Sequence, residues 1–200
     1  MTRNLVGSIA LALMVVAAGA QTPAPDVMTY YIAIGDAGTS YRPTDRQLAE
    51  WALGAWARSS GGALRFEPGD EAHARIRVYW AAADGGQYGE MRRILADGRP
   101  AAAVYIRPDT DGLGPDISQL ADRDPLMRDT IVYLTCLHEL GHALGLEHTE
   151  DFRDIMYFFG YGGDIPGFFM RYRNQLRSRN DIASVAGVSS NDIARLRALH

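Results

Sequence analysis

The sequence predicts an α+β domain in which helices pack against one twisted mixed sheet. Strand-like and helix-like segments follow one another in the order strand, helix, strands, helix, irregular loop, helix. The 200 residues, 47% of them hydrophobic and 22% charged, supply enough material for one sizeable core. No internal repeat divides the chain. Periodicity does not give strand direction, so the share of parallel pairing stays open on these grounds.

Residues 1–20 carry Arg3, an apolar run over 5–18, and Ala18-Gly19-Ala20, the pattern of a cleaved secretory signal peptide. The apolar run falls short of the roughly 20 residues that span a membrane. No cysteine near the cleavage point offers itself for lipidation. The expectation is a mature domain over 21–200, secreted, periplasmic or extracellular, without a stable membrane anchor and monomeric. Losing Arg3 takes the formal charge from −4 to about −5, which argues against nucleic acid as a partner. Cys136 is the single cysteine, so an internal disulfide is excluded, and it is expected to behave as a small buried hydrophobe.

The first strand is expected over 28–34, where β-branched and aromatic residues run up to Gly35-Asp36. A helix over 44–58 follows from Leu48, Trp51, Ala52, Ala55 and Trp56 at helical spacing, with Thr44-x-x-Gln47 read as a capping box. Strands are expected over 64–67, 74–80 and 101–107, punctuated by Gly61-Gly62, Pro68-Gly69 and Gly85-Gly86. In the second of these, Ile76, Val78 and Trp80 alternate with Arg75, Arg77 and Tyr79. The Gly- and Asp-rich loop 108–116 holds Asp109, Asp111 and Asp116, which offer oxygen ligands for calcium, although Asp-Gly clusters commonly form plain turns. Helices are expected over 129–144 and 191–199, the last opened by Ser189 or Ser190.

The stretch that carries chemistry is His138-Glu139-Leu140-Gly141-His142-Ala143-Leu144-Gly145-Leu146-Glu147-His148. Residues four apart share a helix face, so His138 and His142 present two imidazoles to one ion. Gly145 tolerates the left-handed conformation that ends a helix sharply, which lets His148 arrive as a third ligand. Three imidazoles leave one tetrahedral position open for water, whose pKa falls toward about 7 on zinc. Glu139, beside the ligands without being one, is placed as general base. Five such positions coincide by accident on the order of once in 100,000 chains of this length, which sets aside a core helix with stray histidines.

This stretch resembles the signature of the metzincin metallopeptidases, H-E-x-x-H-x-x-G-x-x-H followed by a methionine in a tight turn, which Met156 supplies in Asp154-Ile155-Met156-Tyr157. Tyr157 directly after the methionine makes the chain most similar to the matrixins. Astacins and serralysins carry a metal-binding tyrosine where Phe158 stands. The resemblance implies one catalytic zinc on His138, His142 and His148, with Met156 as an apolar floor beneath it. It also implies a five-stranded sheet, four strands parallel and one antiparallel edge strand lining the cleft, a place assigned here to residues 102–107. A peptide substrate would add to that edge as a further strand.

Asp192 either braces the methionine turn or serves as an ordinary acid at a helix N-terminus. With only His73 before the active helix, a second zinc is not expected, and the few residues between 20 and the first strand leave no room for an inhibitory prosegment. The resemblance implies that the segment 157–188 corresponds to the family's loop that walls the pocket for the substrate side chain after the cut. Its Phe168, Phe169, Arg171, Tyr172, Arg173, Arg177 and Arg179 fit either a basic aromatic wall, favouring acidic or large side chains, or a surface helix with buried aromatics. The expected function is zinc-dependent endopeptidase action on proteins or peptides. The alternatives are a catalytically silent zinc-containing scaffold or a narrow-specificity cell-envelope amidase using the same residues.

Overall fold

Ile76, Val78 and Trp80 are buried while Arg77 and Tyr79 are half-buried, so the alternation legible in the sequence sets strand β3, Ile76–Trp80, at the centre of a sheet. The structure is a computed structural model and describes residues 24–83 and 88–200. The segment 1–20, expected to be a signal peptide, and the pair Gly85-Gly86 lie outside the described residues. The other strands are β1 (Asp26–Ile32), β2 (Leu64–Pro68), β4 (Gly89–Ala96) and β5 (Arg99–Ile106), in the spatial order β2-β1-β3-β5-β4. β1 pairs in parallel with β2 and β3, β3 pairs in parallel with β5, and β4 runs antiparallel to β5. Four parallel strands and one antiparallel edge strand match the expected α+β architecture.

The edge itself is not the strand assigned to it. Residues 102–106 form the interior of the sheet, and β4 takes the edge. The physical reason lies in composition: Ala102, Ala103, Val104 and Ile106 are all buried, the near-continuous apolar run of an interior parallel strand. β4 carries Arg92 and Arg93 side by side, both exposed, and buries only Ala96, as suits an edge strand. Its charges erase the period-2 pattern, which hid it from a reading by periodicity. One local signal does mark it: Asp97 and Gly98 join β4 to β5 with φ of 51° and 73°, and Asp-Gly is a favoured pair where both turn residues need positive φ.

The helices are α1 (Asp45–Ser59), α2 (Pro115–Arg123), α3 (Pro125–Ala143), α4 (Ile165–Arg173) and α5 (Ser190–Leu199). α1 packs on α3 and buries Leu48, Ala52 and Trp56 in the core, and the Trp56 indole N–H donates to the Leu137 carbonyl at 2.9 Å. The capping box expected at Thr44 does not form among the described residues. Asp45 fills that region instead: its carboxylate accepts the Arg42 amide at 2.8 Å and both arms of the buried Arg128 guanidinium, which also reaches the Ser40 carbonyl. Gln47 accepts from Arg179. A tertiary ion pair has displaced the local cap.

α3 begins four residues before the expected start, because Asp124 caps it by accepting the Leu126 amide at 3.0 Å and Pro125 suits a first helical position. α2 was not expected; only Ile117 and Ala121 are buried on it, too few to set up a readable period. α4 settles the two readings of the segment after the methionine turn in favour of a helix with buried aromatics, Phe168, Phe169 and Tyr172. Its arginines are engaged structurally: Arg171 lies over the Phe168 ring and donates to the Phe152 carbonyl, and Arg173 bonds Asp124 at 2.6 Å. Cys136 is fully buried, and burial raises its thiol pKa, as expected of an inert core cysteine. Among the described residues no helix is long and apolar enough to cross a membrane.

Candidate active site

The last turn of α3 brings His138 and His142 onto one face, and the chain then leaves the helix in a Schellman turn. Gly145 has φ +93°, its amide donates to the His142 carbonyl at 3.0 Å, and the Leu146 amide donates to the Gly141 carbonyl at 3.0 Å. This sharp exit carries His148 back toward the helix. Its Nε2 lies 3.1 Å from Nε2 of His142 and 3.3 Å from Nε2 of His138.

Two backbone carbonyls orient the helical imidazoles. His138 Nδ1 lies 2.7 Å from the Ile155 carbonyl and His142 Nδ1 lies 2.8 Å from the Leu146 carbonyl. With Nδ1–H donating in each ring, the Nε2 lone pairs are left to point at one another and at His148. Neutral nitrogens so close oppose each other, and a shared cation relieves the conflict. Zinc bonded at about 2.0–2.1 Å in a tetrahedral shell sets its nitrogen ligands roughly 3.3 Å apart, which the observed separations fit. Burial lowers the pKa of all three imidazoles, with His142 adding to the effect on His138, which falls to about 3. The site therefore offers uncharged donors at neutral pH. Among the described residues these three form the one group of three or more metal-capable side chains within reach of a common ion. Asp109 meanwhile accepts the Asp111 amide at 2.9 Å, an Asx turn.

Met156 is fully buried, and a Cβ at Gly141 would lie 2.5 Å from its sulfur, so glycine at 141 leaves room for the methionine beneath the histidine-bearing turn. Asp192 takes both of its readings. Its Oδ2 accepts the Ile155 amide and the Ser189 amide, each at 2.8 Å, so one carboxylate caps α5 and fixes the residue whose carbonyl orients His138. Asp154 accepts from Ser189 and Asn191 at 2.6 Å and ties the same turn to α5.

Glu139 is buried against the start of β4. A Cβ at Gly89 would meet Glu139 Cγ at 2.6 Å, so the edge strand passes against this carboxylate only because residue 89 has no side chain. Burial pushes the Glu139 pKa up to about 7, with Arg107 opposing the rise and Glu90 adding to it. A cavity of about 380 Å³ opens beside the histidines between β4 and α3, walled by Tyr88, Met91, Leu134, Phe159, Phe168 and Phe169. Tyr88, Gly89, Met91 and Phe159 were not among the residues singled out in the sequence. The Asp97-Gly98 turn marks the strand that carries Gly89 and Met91 and that Tyr88 directly precedes, whereas Phe159 carries no local mark.

Comparison with known proteins bears on this constellation. A family model described as Matrixin matches residues 23–162. Macrophage metalloelastase of Oryctolagus cuniculus is 32% identical over 103 residues, an alignment covering 49% of this chain and 21% of that relative. The chain thus spans about a fifth of the length of the curated relative it matches. With the family model covering well over half of its residues, the signature histidines included, the chain belongs to the matrixin family.

Proposed function

We propose that this chain is a zinc-dependent endopeptidase that acts outside the cytoplasm. The observation that carries the reading is the convergence of three imidazole nitrogens beside a buried carboxylate that lines the same cleft. His138, His142 and His148 would hold the zinc. When bound, zinc supplies the Lewis acidity that polarises a scissile carbonyl and acidifies a water at the open position. Glu139 would take a proton from the attacking water and return it to the leaving amine, so that each turnover would leave the carboxylate as it began. Ile155 and Leu146 carbonyls hold the two helical imidazoles in the tautomer that leaves Nε2 free. The outer edge of β4, unpaired among the described residues, offers backbone groups along which an extended peptide would align across the cleft. The Arg3, apolar-run and Ala18-Gly19-Ala20 pattern supports export. The matched relative's name, a metalloelastase, fits action on proteins.

The pocket wall favours one substrate class. Arg171, Arg173 and Arg179 are all bonded elsewhere, to the Phe152 carbonyl, Asp124 and Asp129, which leaves Phe159, Phe168 and Phe169 to meet the side chain. Cleavage of a mixed peptide library, read by mass spectrometry, is expected to place a large apolar residue in this pocket. A substrate with Asp or Glu there should show kcat/KM at least about tenfold lower, because an unpaired carboxylate would be buried among aromatic rings. Equal rates for acidic and apolar side chains would contradict this assignment of the pocket.

A further inference from the structure

We infer that Phe158 is a positioning residue for the third imidazole, holding the His148 ring in place and shielding one face of it so that bound metal is released slowly. The inference rests on the zinc reading above. The three rings are not held alike. His138 and His142 sit on a helix, and each has its Nδ1 bonded to a backbone carbonyl. His148 lies beyond the helix end, is the exposed member of the three, and among the described residues makes no such bond through Nδ1. What fixes its plane is Phe158, whose ring stacks on it with centroids 4.7 Å apart and planes 29° from parallel.

The stack is built into the backbone around it. The Thr149 amide donates to the Met156 carbonyl at 2.9 Å and the Phe158 amide donates to the Thr149 carbonyl at 3.2 Å, so the residues that follow His148 and Met156 form a short parallel bridge. The Phe158 ring folds back over residue 160, where a Cβ would come within 2.2 Å of it, and Tyr161 packs edge-on against it at 5.3 Å. Glycine at 160 therefore permits the position of the ring. Phe158 is 42% exposed, so filling the core does not account for it. A flat apolar face against an imidazole limits ring rotation and keeps water from the face it covers.

The test is chelator-driven release of zinc from the full chain, followed with a colour-forming indicator. Phe158→Ala is expected to release zinc about tenfold faster or more, the range seen when groups that orient metal ligands are removed. Phe158→Trp, which keeps an aromatic face, should restore slow release. Gly160→Ala should speed release although Phe158 is still present, because the added methyl displaces its ring. Thermal midpoints of the metal-free proteins should stay equal. Release from Phe158→Ala at the wild-type rate would overturn the inference, and so would Trp and Ala variants that behave alike. An equal loss of stability in the metal-free and zinc-loaded Phe158→Ala proteins would mark Phe158 as an ordinary packing residue and overturn it too. A wild-type chain that takes up no zinc would instead remove the metal reading on which it stands.

Discussion

Glu139→Ala is expected to keep its zinc and its fold and to lose roughly 10²- to 10⁴-fold in kcat/KM, the usual contribution of a positioned general acid–base. The residue donates nothing to the histidine cluster, and its carboxylate lies against Gly89 on the cleft wall. Removing a buried carboxyl from that contact relieves desolvation, so the fold should not suffer. The loss should fall on kcat with KM little changed, because proton transfer belongs to the transition state and not to ground-state binding. Glu139→Gln, which preserves shape, should fall by a similar factor. Zinc content and steady-state rates on one peptide substrate decide the matter, and a variant that cleaves at the wild-type rate removes Glu139 from the mechanism.

The largest effect on stability is expected at Asp45. This carboxylate is 0% exposed and receives the guanidinium of Arg128, itself 4% exposed, across the contact between α1 and α3. Asp45→Ala leaves the buried Arg128 cation with only the Ser40 carbonyl and a longer 3.7 Å approach to Asp129, leaves the Arg42 amide unmet, and should cost about 3 kcal/mol. The urea midpoint, measured at fixed zinc because any ligand of the native state shifts it, should fall accordingly. Adding Arg128→Met removes the stranded charge and should recover a good part of the loss. A change below about 1 kcal/mol in Asp45→Ala would show that the pair does not hold α1 to the helix that carries His138 and His142.

The two results bear on different ranges of structure, and so did the sequence. The convergence of the three histidines was legible because it is local: two histidines four apart, a glycine that ends the helix, and a third histidine three residues on are related by helix geometry alone. The partners that orient the imidazoles were less so. Asp192 had two readings, and the structure shows that capping α5 and bracing Ile155 are done by the same oxygen. The capping box at Thr44 failed for a related reason: a distant arginine, Arg128, holds Asp45, and sequence pattern says nothing about partners 83 residues away.

The far wall of the cleft was the least legible part. β4 carries Arg92 and Arg93 where alternation would be sought, so its edge role was given to the apolar segment now seen inside the sheet. The Asp97-Gly98 turn was the available clue. The pocket is harder still, because Tyr88, Phe159 and Phe169 come from separate elements and meet only after the sheet and α4 have packed on α3. What the arginines of 157–188 do could not be read from their number; each is bonded away from the cavity or lies outside its lining.

Metal analysis of the purified chain after incubation with zinc and removal of the excess tests the central claim most directly. One zinc per chain, lost in His142→Ala while circular dichroism stays native, is the expected result. A chain that binds no zinc at neutral pH, or one whose zinc survives His142→Ala unchanged, would contradict the assignment of the site.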